Sequence, residues 1–68
     1  MKTKFGYAKF EKGMHFILKG VEYVVDYFGF VKYNEPFCLF DGADGVITTT
    51  GEVFHRPRFF NDEIEIVE

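Results

Sequence analysis

The run Met14-His15-Phe16-Ile17-Leu18, then Lys19-Gly20, then Val21-Glu22-Tyr23-Val24-Val25, limits the fold more than any other stretch of this 68-residue chain. Two segments rich in strand formers flank a two-residue turn ending in glycine, which is the arrangement of a β-hairpin. That turn length sets the register. Leu18 faces Val21, Phe16 faces Tyr23 and Met14 faces Val25 on one side, while Ile17–Glu22 and His15–Val24 make a mixed second side. With two strands held this way, a chain so short has to extend their sheet or cover it.

Turn signals recur downstream at intervals of about ten residues. The second arm runs on through Tyr27, Phe28, Phe30 and Val31 to Tyr33, with Gly29 marking a bend or bulge. Asn34-Glu35-Pro36 reads as a turn, Phe37 to Phe40 as a short strand, and Asp41-Gly42-Ala43-Asp44-Gly45 as a tight loop. Val46 to Thr49 is the next strand. Thr50-Gly51 or Gly51-Glu52 turns it into Val53-Phe54-His55-Arg56, which Pro57 ends because proline has no N–H to donate. Beyond a turn at Asn61-Asp62, residues 63–68 alternate glutamates outward with isoleucines inward. Lys4 to Phe10 alternates loosely as a strand, so residues 1–12 are expected to be a frayed or edge strand of a single domain over 1–68.

Composition points the same way. Seven valines stand against two leucines and two alanines, and 14 of the residues are aromatic. Strand formers therefore dominate while the best apolar helix formers are nearly missing. The expected class is all-β, with little or no helix. Its architecture resembles the small five- to six-stranded antiparallel barrels of SH3 and Tudor domains, or a strongly bent sheet. At 8.0 kDa there is room for one core, which excludes a large enzyme fold or a doubly wound nucleotide domain.

The chemistry-bearing residues are few. Asp41 and Glu52 have the outer spacing of a calcium loop, but Ala43, Gly45 and Val46 stand where ligands and a glycine are required, so turn chemistry explains the Asp-Gly pairs better. His15, His55 and Cys38 lack the paired spacing of a zinc site. Cys38, in an apolar run, is expected to be a small core residue. No phosphate-binding glycine loop is present. The expectation is a protein that is not an enzyme and carries no cofactor and no metal. A single cysteine makes no internal disulfide, no leader-like apolar run follows the N-terminal lysines, and no apolar run reaches the length of a membrane span. A cytoplasmic protein that does not engage membranes is the expectation.

Aromatic excess is the strongest hint of function. Fourteen rings exceed what so small a core can enclose, and exposed apolar patches tend to mark interaction surfaces. Arginine and aromatic residues are enriched at protein interfaces, and both arginines lie in Phe54-His55-Arg56-Pro57-Arg58-Phe59-Phe60. The expected protein-binding residues are therefore Tyr27, Tyr33, Phe37, His55, Arg56, Arg58 and Phe59. They belong to a module that docks on a larger protein as an inhibitor, adaptor or accessory subunit. Phage-encoded proteins of host takeover or anti-defence are often of this size. The alternative is nucleic-acid binding through Lys2, Lys4, Tyr7, Lys9, Arg56 and Arg58. Against it, the net charge is −3 and the isoelectric point about 5.3, where nucleic-acid binders are usually strongly basic. A third possibility buries the surplus rings in a homodimer.

The charge is unevenly spread. Residues 1–34 carry 6 basic and 3 acidic residues, while 35–68 carry 2 and 8. Two faces with different partners would give such a split, and so would pairing of strands 1 and 5 in a closed barrel.

Overall fold

The structure is a computed structural model that describes residues 1–37 and 39–67. The expectation for Cys38 lies outside the described residues. Among these, six strands form one antiparallel sheet: β1 (Lys2–Lys4), β2 (His15–Leu18), β3 (Val21–Lys32), β4 (Gly42–Thr48), β5 (Val53–His55) and β6 (Glu63–Val67). Their spatial order is β1-β6-β2-β3-β4-β5, with β1 and β5 at the two edges. No ladder joins those edges, so the sheet is not closed into a barrel. Among the described residues, helix is confined to a 3₁₀ turn at Phe5–Tyr7 and one turn, α1, at Arg56–Phe59.

The β2–β3 hairpin has the register its turn dictates, from Leu18↔Val21 to His15↔Val24, and Val25 N–H extends it by donating to the Met14 carbonyl at 2.8 Å. Lys19 and Gly20 both have positive φ, 51° and 81°, as a type I′ turn requires. Strand β3 is twelve residues long because it serves two ladders in succession. Its first part pairs with β2. After a register shift between Val25 and Tyr27, the rest pairs with β4 as far as Lys32↔Gly42. That irregularity lets the strand bend.

The core lies on one face and is largely phenylalanine. Phe5, Phe10, Phe16 and Phe54 are buried with Ala8, Leu18, Val25, Val46 and Ile64. Phe5 is at its centre, its ring 4.8 Å from that of Phe10 and about 6 Å from those of Phe16, Phe54 and Phe59. Edge-to-face and tilted pairs of this kind let rings pack densely.

Four expectations are corrected. The bulge expected at Gly29 lies instead between Val25 and Tyr27, and Gly29 stands within the regular ladder opposite Gly45. Residues 4–10 do not form a strand: β1 lies at Lys2–Lys4, and the chain then coils so that Phe5 enters the core. Phe5 N–H donates to the Asp62 carbonyl and Gly6 N–H to the Phe60 carbonyl. The Phe60 ring occupies the space a Cβ on Gly6 would take. The strand expected at Phe37 to Phe40 is not formed by its described residues, Phe37, Leu39 and Phe40, which are in turn and bend conformation and exposed. Asp41 to Gly45 is not a loop, since β4 begins at Gly42. The glycines here serve close strand contact rather than chain reversal. A Cβ on Gly45 would lie 2.7 Å from the Phe54 carbonyl oxygen of the neighbouring strand.

The uneven charge finds its partner in the sheet. Lys2 stands opposite Glu65 and Lys4 opposite Glu63, and opposite charges across an antiparallel pair are mutually favourable. The basic beginning of the chain thus lies against its acidic end.

Candidate functional site

The second half of β3 and the first half of β4 form an arm whose far end is the 33–41 loop. On the side away from the core the arm is lined by small residues, with Gly29 paired to Gly45 and Val31 to Ala43. His55 sits opposite Gly45 on β5. The His55 ring reaches across to β3, where its Nε2–H donates to the Val31 carbonyl at 3.1 Å. That bond commits the proton to Nε2 and leaves Nδ1 as the second polar atom of the ring. Tyr33 then packs on the imidazole, ring centroids 4.4 Å apart.

The Tyr33–His55 pair borders an open cleft of about 480 Å³ with apolar walls from Val31 and Val53 and basic groups from Lys32 and Arg58. A second hollow of about 360 Å³ shares Lys32, Tyr33 and Glu35 with it and reaches Pro36, Phe40 and Asp41. Together they make a groove from β5 to the loop tip. Valine side chains, two stacked rings and charged groups of both signs, Lys32 and Arg58 with Glu35 and Asp41, suit recognition of a side chain or segment from another molecule. Among the described residues no three His, Cys, Asp or Glu side chains gather as metal ligands would.

The other expected contact residues are dispersed. Tyr27 is exposed on the arm, its hydroxyl donating to the Phe30 carbonyl at 3.1 Å. Phe37 is at the loop tip, 95 % exposed. Phe59 packs on the core at 5.0 Å from Phe54. Arg56 is half-buried, with its guanidinium 5.1 Å from the centre of the Phe28 ring and Nη2 donating to the Ala8 carbonyl at 3.4 Å. Its Nε is buried and has no hydrogen-bond partner among the described residues. Arg56 therefore braces the N-terminal segment against the arm, whereas Arg58 is exposed at the cleft.

The residues of the nucleic-acid alternative are likewise spread out. Lys2 and Lys4 alternate with glutamates across β1 and β6, Tyr7 stacks edge-on against Phe60 at 5.2 Å, and Lys9 is exposed. Glutamates interleaved with the lysines weaken the positive potential that phosphate binding needs.

Sequence reasoning missed the rest of the loop tip. Leu39 is as exposed as Phe37, Phe40 is 73 % exposed and Phe30 on the arm 54 %. The apolar run Phe37 to Phe40 reads as buried because its residue types do.

These features define a small antiparallel β protein with an aromatic core, an open groove and an apolar loop tip. Comparison with known proteins finds no matching family, no matching curated protein and no matching solved structure.

Proposed function

We propose that the chain is a non-enzymatic binding module that docks on a larger protein through the groove beside Tyr33, His55 and Arg58. Its architecture is read as an unclosed relative of the SH3- and Tudor-like barrels, on the grounds of one antiparallel sheet wrapped over one core. The observation that carries the functional reading is the convergence of Tyr33, His55 and Arg58 on one open cleft. These three residues, far apart in the sequence, have the aromatic and cationic character that interface anchors favour. Such a module acts by occupying a surface, as an inhibitor, adaptor or accessory subunit does. The reading takes it to work in the cytoplasm; no described helix is long and apolar enough to cross a membrane.

The test is affinity capture from bacterial lysate with the tagged chain and its Tyr33→Ala/Arg58→Ala variant, at low and high salt, with and without nuclease. The expected outcome is one protein held in stoichiometric amount despite salt and nuclease, and at least about tenfold less of it on the variant. Equal recovery on both baits removes the groove from the interface. Recovery that disappears with nuclease replaces the reading by nucleic-acid binding, whose affinity falls steeply with salt.

A further inference from the structure

A sheet that does not close leaves backbone donors and acceptors along its edges, and such an edge is a template for another strand. β1 and β5 end this sheet, and the second half of β3 is open where its pairing with β2 has stopped. Two of these edges are obstructed. β1 carries Lys2 and Lys4, and edge lysines discourage pairing. On β3, the bond from Tyr33 N–H to the Asp41 carbonyl marks the residues that face β4, so by alternation Phe28, Phe30 and Lys32 turn their backbones outward. There the Tyr27 hydroxyl occupies the Phe30 carbonyl at 3.1 Å. β5 has neither device: Val53–His55 holds no lysine, no proline and no bulge. The bond from Thr48 N–H to the Glu52 carbonyl at 2.9 Å sets the alternation of the β4–β5 ladder, so Phe54 faces β4 while Val53 and His55 face out. The His55 carbonyl opens α1. Val53 N–H, Val53 C=O and His55 N–H are left without a partner among the described residues.

We infer that β5 is the docking edge of the groove, and that its occupant is an extended acidic segment of the partner protein, added to the sheet as a further strand. The inference rests on the groove being the interface proposed above and says how a partner is gripped there. Main-chain bonds to Val53 and His55 supply affinity, and the hollow beside them supplies selectivity. Alternate side chains of an added strand fall on the face that carries Val53 and His55, and these two line the hollow nearest β5 together with Arg58. Charge selects an acidic residue for that position. Arg58 and His55 line only this hollow, Asp41 only the one at the loop, and Lys32 and Glu35 both. The β5 end therefore holds two fixed cations, Lys32 and Arg58, against one carboxylate, Glu35, on a chain whose net charge is −3. Arg58 is exposed and makes no ion pair among the described residues. Its guanidinium is available to take a carboxylate in two parallel hydrogen bonds.

The test is selection of a displayed library of random peptides, about twelve residues long, on the full chain, followed by titration of the selected peptides. The expected peptides carry an acidic residue within an alternating, β-rich run. On binding, hydrogen exchange at the Val53 and His55 amides should slow at least about tenfold, while Phe54, already turned to β4, changes least. Binding should weaken at least about tenfold for Arg58→Gln, for peptides whose acid is replaced by its amide, and for Val53→Pro, which removes one outward N–H at an edge that tolerates proline. A library that yields no binder overturns the inference. So do selected peptides without an acidic residue, and so do Val53 and His55 amides that stay unprotected in the complex. The exchange measurement uses the native chain and decides the matter even where Val53→Pro does not fold. Peptides that bind Val53→Pro undiminished but are lost with Tyr33→Ala keep the groove and remove strand addition; peptides indifferent to both remove both.

Discussion

Glu52 shows how one side chain can close a turn. The buried Thr48 hydroxyl donates to its carboxylate at 2.7 Å and the Thr50 hydroxyl donates to it as well, while Glu52 N–H donates back to Thr48 Oγ1 at 3.0 Å. The Thr50 bond first, and the Thr48 bond second, hold the carboxyl below its ordinary value of 4.5. A depressed carboxyl stabilises the fold above the unfolded-state value, and that contribution is lost as pH falls through the folded one. The unfolding midpoint of the native chain should therefore drop relative to Glu52→Gln as pH is lowered from 4.5 through the depressed folded value, with the two converging in strong acid. A pH-independent difference between them would show that the carboxylate's charge is not what closes the turn. His55 is a second case in which a residue's role depends on what stands next to it. It reaches Val31 from β5 while standing opposite Gly45, where a Cβ would crowd the Phe54 carbonyl and the His55 backbone.

Among the elements, the β2–β3 hairpin is the most locally specified. Its turn places Lys19, a residue with a Cβ, in left-handed backbone at φ 51°, where side chains other than Asn and Asp are disfavoured. Lys19→Asn should stabilise the chain by roughly 0.5–1 kcal/mol, raising the thermal midpoint by about 2–8 °C; an unchanged or lower midpoint would mean that the Lys19 side chain contributes more than its backbone costs. This hairpin, the β4–β5 turn and the alternation of β6 are legible from sequence because a short loop and a two-residue period leave one register open. The 33–41 loop is not, because Phe37, Leu39 and Phe40 carry the same residue types as core strands. Nor is the 3₁₀ turn at Phe5–Tyr7, whose course depends on carbonyls of residues 60 and 62, more than fifty positions away.

At the scale of the molecule, a packed half and a projecting half share one sheet. The buried side chains of β2, the first part of β3 and β6 meet around Phe5 and Phe16, while beyond Phe28 the arm has little core to lie on. Stability should follow that division. In native-state hydrogen exchange, backbone amides at Phe16, Leu18 and Ile64 should outlast those of the arm's ladder from Phe30 to Lys32; equal protection in both would show that the arm opens only with the whole molecule.

The sequence by itself determined the all-β class, the hairpin and its register, the sign pattern of the last strand and the surplus of rings over core positions. These follow from the alternation of residue types and from turns of two or three residues, which act over a few bonds. Tertiary structure decided which rings are surplus, that the lysines of β1 lie against the glutamates of β6, and that Tyr33, His55 and Arg58 share a cleft. Each of these depends on where strands distant in sequence come together. The bulge in β3 and the small residues Gly29, Gly45 and Ala43 govern that meeting, and their effect exists only once the neighbouring strands are in place.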